Sequence, residues 1–337
     1  MGNVSLYWKS GLKNLRDRIV GFDLLRAASA LYIAFWHIDD YANNILFSTI
    51  GSTLTLGALS IFTFMSGFLL AAKHNKSETL NDAWNFLVKR AFRIYPLYLF
   101  ALLLFLLTSQ ISFKSFINSV FLLNVLLNIP LRTLWFIPMI FCYYLLIPVL
   151  LYNYSTRRTI LIGSFLFFII ALLHRYFMLV DIRVMYYLLP FILGVCCGKD
   201  SLLYKFIKNK KVIAISIISV ALAAYASQHY IKFFYIDKIS TFVCILMWIP
   251  FLVAFAEFLA DKFTPKFLLR ASHASFCMYL YHRIIYWSLI KAYHPPTNAL
   301  TIFYLACIGV PLVFVISEFL QTGYDRLTHV RHKNSLK

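Results

Sequence analysis

The chain has 337 residues, of which 61% are hydrophobic and 13% are charged, and its mean hydropathy is +0.75. Soluble domains average about 25% charged residues, and a soluble chain could not bury this much apolar surface. The composition therefore excludes a disordered, collagen-like or coiled-coil protein and indicates an all-α polytopic membrane protein. We expect the formal net charge of +19 to reflect basic loops on one side of a membrane, without a nucleic-acid partner.

Apolar stretches long enough to cross a bilayer recur along the whole chain. We predict a bundle of ten transmembrane helices in a single domain, residues 1–337, with a cytoplasmic N-terminal segment 1–19 and a cytoplasmic tail 321–337. The predicted spans are 20–38, 52–72, 92–109, 133–152, 159–174, 184–198, 211–228, 239–259, 274–292 and 299–320.

An eleventh apolar stretch, 116–131, is short and contains three asparagines and Pro130. We predict that it is a re-entrant or interfacial segment, because the distribution of Lys and Arg requires this. If it does not cross and the N-terminus is cytoplasmic, 23 of the 32 basic residues fall inside and seven fall outside, while Arg26 and Arg283 lie within spans. If it crossed, every later loop would change sides and the bias would be lost.

The six cysteines lie in apolar stretches, and no CxxC pair is present. We therefore expect neither a disulfide framework nor a metal site. The stretch 194–198 reads Gly-Val-Cys-Cys-Gly, and this GxxxG spacing predicts close packing of two helices.

Three ionisable residues lie in the first predicted span, where a charge costs roughly 2.5–3.5 kcal/mol to insert. Asp23, Arg26 and His37 share one helix stripe, since intervals of three and four residues connect them through Ala30 and Ile33. Arg26 and His37 lie about 16 Å apart along the helix axis. The stripe is a candidate catalytic site; the alternative is a buried Asp23–Arg26 ion pair with a histidine at the membrane interface.

Three further positions carry candidate chemistry. Arg90 and Arg93 share one face at the cytoplasmic mouth of the third span, where guanidinium groups could bind phosphate or simply anchor the helix. Ser66 and Gly67 are small enough to let a ligand or another backbone approach. His282 lies near mid-membrane in the ninth span, where the alternative to a reactive group is a satisfied core histidine.

Together these residues form motifs that make the chain resemble the acyltransferase-3 family of bacterial integral membrane acyltransferases. The family's D-x-x-R, followed after ten residues by His, is matched by Asp23, Arg26 and His37. Its FxxxSGF is matched by 62–68, its RxxRIxPxY by 90–98 and its S-x-x-x-Y-L-x-H by 275–282. The four motifs occur in the family's order.

One segment departs from the pattern of many members. Trp135, Tyr144 and Pro148 match the family's W-S-x-x-x-E and F-Y-x-x-x-P elements. Phe136 and Ile140 stand where many members have Ser and Glu. This resembles a W-F branch of the family.

The resemblance implies a membrane-bound O-acetyltransferase of the bacterial inner membrane, with both termini cytoplasmic and membrane lipids around it. It implies cytosolic acetyl-CoA as acyl donor, no metal, and as acceptor a lipid-linked or cell-surface glycan such as an O-antigen, capsule or exopolysaccharide unit. The catalytic residues it implies are His37, Arg26, Asp23 and His282, and the acetyl-CoA-binding residues are Arg90, Arg93, Ser66 and Gly67.

Two alternatives remain open from the residues. His37 could be a general base or could carry the acetyl group transiently. A different class of protein, a secondary transporter or flippase for lipid-linked sugars, could use Asp23, Arg26 and His37 as a proton or substrate relay.

Overall fold

The computed structural model describes residues 20–42, 49–73, 79–129, 131–229, 234–262 and 266–334. All regular secondary structure within these ranges is helical. The predicted cytoplasmic segment 1–19, Pro130 and the last three residues of the tail lie outside the described residues.

Each predicted span corresponds to a helix or to two joined helices. These are α1 (Val20–Trp36), α2 (Thr49–Lys73), α3 (Leu80–Leu107), α5 (Phe136–Leu151), α6 (Thr156–Phe177), α7 (Ile182–Lys199), α9 (Lys210–His229), α10 (Phe234–Ala260), α11 (Lys266–Ala292) and α12 (Asn298–Tyr304) with α13 (Val310–Asn334). A π-helical turn, Leu305–Gly309, joins α12 to α13. Two short helices, α4 (Phe113–Val120) and α8 (Ser201–Ile207), complete the set.

In the described ranges, eight helices are long and apolar enough to cross a membrane. This confirms an all-α polytopic membrane protein. The two remaining predicted spans are α1 and α11, which carry the candidate histidines.

Most helices extend beyond the predicted spans, and the largest extensions are at the start of α3 and the end of α13. Helix α3 begins at Leu80 because Thr79 and Asp82 form a capping box that satisfies backbone N–H groups at its start. Helix α13 continues to Asn334, so the described part of the tail 321–337 is helical.

Helices α1 and α11 run parallel, and this fixes whether the number of crossings between them is odd or even. Ser272 Oγ donates a hydrogen bond to Asp23 Oδ1 near the start of both helices, and Arg283 contacts His37 farther along both. Between two parallel helices the chain must reverse its direction an even number of times, so an odd number of spans lies between them. This agrees with α1 and α11 as the first and the ninth of the predicted spans, because an additional crossing at 116–131 would make α11 antiparallel to α1.

The stretch 116–131 folds back against its neighbours instead of forming a span. Helix α4 has eight residues, about 12 Å, against a hydrocarbon core of about 30 Å. Tyr95 Oη on α3 donates to the carbonyl of Val120, and the backbone N–H of Asp181 donates to the carbonyl of Val125. The segment therefore returns to the side from which it came, which confirms the predicted re-entrant or interfacial segment.

We call the end of the bundle at which α1 begins the basic end, and the opposite end the histidine end. Helices α2, α7 and α10 all finish at the basic end, where Lys73, Lys199 and Lys262 follow their apolar stretches.

Helices α2 and α7 pack in parallel at backbone distance through glycines. A Cβ atom at Gly194 would overlap the carbonyl oxygen of Phe64, and one at Gly67 would overlap the carbonyl oxygen of Phe191. Gly198 meets the backbone of Phe68 in the same way, one turn farther on. This confirms the packing role predicted for the GxxxG stretch, since a side chain on either glycine would separate the helices.

Gly194→Ala should therefore lower the free energy of unfolding of the detergent-solubilised protein by about 1–3 kcal/mol, because the added methyl group meets a carbonyl oxygen. Gly323→Ala on α13 is the matched control, since a Cβ there meets nothing within 4 Å. It should leave stability unchanged or raise it by up to about 1 kcal/mol. Equal stability of the two variants would contradict the tight packing of α2 on α7.

Single cysteines in a cysteine-free background should report the path of the chain through the membrane. We expect Lys114→Cys to react with an impermeant thiol reagent in intact cells. Ser155→Cys and Lys205→Cys should react only after the membrane is permeabilised, because one predicted crossing separates residue 155 from residue 114 and three separate residue 205 from it. All three positions are exposed in the structure. Reaction of Lys205→Cys in intact cells would invert the placement of every residue after 131.

Candidate active site

The site at the histidine end begins where α1 stops. After Trp36 the chain tightens into a 3₁₀ turn, Asp39–Tyr41, and i→i+3 spacing in such a turn brings side chains three residues apart to the same side. Asp40 Oδ2 lies 3.0 Å from His37 Nδ1 as a result.

Helix α11 adds a cation to this pair. Arg283 Nη2 lies 2.5 Å from Asp40 Oδ2 and 3.0 Å from His37 Nδ1, so one guanidinium nitrogen contacts both groups. The Arg283 side chain is only 9% exposed, and Tyr41 Oη donates to its backbone carbonyl. The three side chains therefore form a closed triangle at the end of α1.

The second histidine lies directly beneath the triangle. The ring of His282 stacks on that of His37, with centroids 5.0 Å apart and an interplanar angle of 20°, and His282 is fully buried. Its Nδ1 lies 3.0 Å from the carbonyl oxygen of Met278. A carbonyl can only accept, so Nδ1 carries the proton and Nε2 keeps a lone pair. This Nε2 has no partner among the described residues.

Tyr286 secures this part of α11 against α1. Its ring lies edge-on to His282 at 6.2 Å, and its hydroxyl donates to the carbonyl of Ala34. Gly309, in the π-helical turn, leaves room for the ring, because a Cβ there would come within 3.0 Å of it. The ring of His282 therefore lies between the rings of His37 and Tyr286.

A cavity of about 580 Å³ opens beside His37. Its lining combines apolar, aromatic and charged side chains, namely Ile33, His37, Asp40, Thr55, Leu59, Arg132, Thr133, Trp135, Tyr279 and Arg283. The guanidinium of Arg183 lies over the Trp135 ring, 4.0 Å from its centre, in a cation–π contact, and Arg183 also forms a salt bridge with Asp181. The lining therefore has a rigid aromatic wall and several hydrogen-bonding groups.

Asp40 is charged in this setting. Burial by itself raises the pKa of the Asp40 carboxyl, but hydrogen bonds from His37 and Arg283 and the charge of Arg283 outweigh it. The pKa lies below its ordinary value, so the carboxylate is ionised at neutral pH.

A second cluster lies at the basic end. Asp23 is buried, accepts the hydrogen bond from Ser272 at 2.8 Å, and lies 3.9 Å from Arg26 Nη1. Arg26 and Arg93 are both within electrostatic range of Arg90. Asp23 and Arg26 are therefore neighbours, as their i, i+3 spacing predicts, and Arg26 belongs with Arg90 and Arg93 to a cluster of three guanidinium groups.

The guanidinium of Arg90 lies 5.7 Å from the centre of the Phe86 ring. In the part of the chain that the structure describes, neither Arg90 nor Arg93 forms a salt bridge with a carboxylate. Converging cations repel one another, so an anion bound between them would be stabilised. The cluster is suited chemically to a phosphate-bearing ligand.

Both clusters lie in the region that identifies the family. An acyltransferase domain matches residues 19–318, nearly the whole chain. The chain belongs to the acyltransferase-3 family. It is therefore an acyltransferase with membrane-spanning helices. No curated protein and no solved structure matches the chain significantly.

The first and last acyltransferase-3 motifs meet in space, although about 245 residues separate them. His37 from the first motif and His282 from the last are stacked, while Asp23 and Arg26 remain at the basic end with Arg90 and Arg93. The predicted catalytic residues of this acyltransferase are thus divided between two clusters.

Ser66 and Gly67 lie in neither cluster. Ser66 Oγ donates to the carbonyl of Phe62 in its own helix, and Gly67 is occupied by the contact with α7. The structure gives Gly67 the packing role that was the alternative to ligand binding. A contribution of these two residues to acetyl-CoA binding stays a prediction.

Two members of the site were not predicted from the sequence. Asp40 continues the stripe by a further interval of three after His37, but it follows the apolar span and was not connected to it. Arg283 stands immediately after the motif histidine, and it is predicted only as a charge within a span. The interval of three residues after His37 indicates Asp40, and the position next to His282 indicates Arg283.

Proposed function

We propose that this acyltransferase transfers an acetyl group from cytosolic acetyl-CoA to a hydroxyl of a lipid-linked or cell-surface glycan. The observation that carries the proposal is the position of two clusters at opposite ends of α1. Arg26 lies in the arginine cluster, and His37, the first residue after α1, lies beside the cavity, eleven residues and about 16 Å farther along the helix axis. A donor and an acceptor could therefore enter from opposite ends.

The arginine cluster supports acetyl-CoA as the donor. Coenzyme A carries phosphates, and planar guanidinium groups bind phosphate oxygens through paired hydrogen bonds. The cluster lies at the basic end, where most Lys and Arg residues gather, and basic loops are retained on the cytoplasmic side. With this end in the cytoplasm, the arginines face the compartment that contains acetyl-CoA, and the bacterial inner membrane is the proposed location.

The cavity supports a small polar acceptor. Its volume lies within the roughly 300–1,000 Å³ typical of small-molecule sites, and Trp135 and Tyr279 supply apolar surface beside hydrogen-bonding groups. A sugar residue presents the same combination of apolar faces and hydroxyl edges. The proposed acceptor is therefore one unit of an O-antigen, capsule or exopolysaccharide.

His37 is the proposed general base. Its Nε2 removes the proton of the acceptor hydroxyl while the oxygen forms a bond with the acetyl carbon. The carbon–sulfur bond then breaks, and the proton passes to the departing thiolate. His282 assists by its stacking on His37, because protonation of both rings at 5.0 Å would bring two positive charges together, which favours the neutral form of His37.

Replacement of the base should abolish transfer. We expect His37→Ala to lower incorporation of radiolabelled acetyl groups into glycan, in everted membrane vesicles supplied with acetyl-CoA, by about 100-fold or more. His273→Ala is the matched control, because this histidine is exposed and paired with Asp325 at the basic end. Near-normal incorporation by His37→Ala at equal abundance would remove His37 from the mechanism.

Purified protein, reconstituted in liposomes for the transport measurement, separates an acyltransferase from a transporter. Purified protein should release free thiol from acetyl-CoA when it is supplied with lipid-linked glycans extracted from the producing cells. Transport of those glycans without thiol release would favour the secondary transporter or flippase instead.

Removal of the arginine pair should weaken donor binding. Arg90→Ala with Arg93→Ala should cost about 1.5–3 kcal/mol for each charged hydrogen bond lost, measured as coenzyme A affinity by calorimetry. The corresponding Lys variants should recover only part of the affinity, because Lys cannot form the paired contact. Lys210→Ala with Lys211→Ala, an exposed basic pair at the same end, is the control. Unchanged affinity in the arginine variant would reduce Arg90 and Arg93 to anchors.

A further inference from the structure

The contacts of His37 contain a conflict over one proton. Nδ1 of His37 lies 3.0 Å from a carboxylate oxygen of Asp40 and 3.0 Å from a guanidinium nitrogen of Arg283. A carboxylate can only accept, so the contact with Asp40 requires a proton on Nδ1. A guanidinium can only donate, so the contact with Arg283 requires a lone pair there. The two contacts select opposite tautomers.

The tautomer decides what the opposite nitrogen can do. With the proton on Nδ1, Nε2 has a lone pair and can accept a proton from an acceptor hydroxyl. With the proton on Nε2, this nitrogen can only donate. The neighbouring histidine does not resolve the choice, because the Nδ1 of His282 is committed to the carbonyl of Met278.

We propose that Asp40 and Arg283 are an opposed pair of positioning residues, in which Asp40 selects the tautomer of His37 that leaves Nε2 free as the base and Arg283 restrains it. This rests on the proposed function. In the transfer step Nε2 gains the hydroxyl proton, the new carbon–oxygen bond forms, and the carbon–sulfur bond breaks. The resulting imidazolium donates from Nδ1 to Asp40 until its Nε2 proton passes to the thiolate.

Charge explains why both members are needed. Asp40 favours the imidazolium form of His37, and Arg283 disfavours it. Arg283 also positions the Asp40 carboxylate through their ion pair, in which Nη2 and Oδ2 are 2.5 Å apart. The other titratable or charged groups around His37 are Asp39 and Tyr41 on its own turn, Tyr279 and His282 on α11, and Arg132 before α5. Only Asp40 and Arg283 have a contact with a ring nitrogen of His37 among the described residues.

The test is the pH dependence of thiol release from acetyl-CoA by the purified protein, with extracted lipid-linked glycans as acceptor. The base acts when it is neutral, so the rate rises with pH as His37 loses its proton. We call this rising part of the pH–rate profile the acid limb. Asp40→Asn should lower the maximal rate at least about 10-fold and move the limb to lower pH, because the imidazolium loses its carboxylate. Arg283→Gln should move the limb to higher pH, because a neighbouring cation is removed. Asp40→Glu, which retains the charge, should recover part of the rate.

Asp325→Asn is the matched control, since Asp325 also pairs with a histidine, His273, at 2.8 Å, but at the basic end. It should leave the limb in place. A merely structural role for Asp40 and Arg283 would lower the rate without moving the limb, or would move it in the same direction in both variants, and either result overturns the proposal. If Asp40→Asn does not elute as a folded protein, the limb of Arg283→Gln decides: a shift to higher pH supports the opposed pair, and an unchanged limb refutes it.

The proposed function fails separately from this inference. Absence of thiol release by the unmodified protein would contradict the acetyltransferase itself, and the positioning roles would fall with it. Activity of the unmodified protein with an unmoved limb in both variants would contradict only the roles of Asp40 and Arg283.

Discussion

The parallel contact between α1 and α11 is the constraint on which the rest of the site depends. These helices are the first and the ninth of the predicted spans, and they meet at both ends, through Asp23 and Ser272 at the basic end and through His37 and Arg283 at the histidine end. A slip of one helix along the other would separate both contacts. The pair therefore fixes the distance between the two clusters as well as the composition of each.

Ionisable groups inside a membrane protein are tolerated when they satisfy one another. The carboxylate of Asp40 does this for two neighbours, since its Oδ2 lies 2.5 Å from Arg283 Nη2 and 3.0 Å from His37 Nδ1. Arg90 and Arg93 have no such carboxylate among the described residues. Side chains paired around a carboxylate are preorganised for chemistry, whereas unpaired neighbouring cations are suited to receive a charged ligand. This contrast supports a division between reaction and donor binding.

Close helix packing around the cavity and the histidine pair supports the same arrangement. The glycine contacts of α2 with α7 bring two backbones together, and α2 contributes Thr55 and Leu59 to the cavity wall. On the other side, Gly309 in the π-helical turn makes room for Tyr286, which holds α11 to α1. Small residues thus set the spacing of the helices whose larger side chains line the cavity.

The amino-acid sequence by itself determined the all-α membrane class and the approximate positions of the long helices, because apolar length is a local property of the chain. It also placed Asp23, Arg26 and His37 on one stripe, since helical periodicity needs no tertiary information. Only the tertiary structure decided that His282 stacks on His37 and that Gly67 is used for packing. These depend on which helices meet and at what height, and contacts between residues so distant in the chain are set by the packing of the whole bundle rather than by any local spacing.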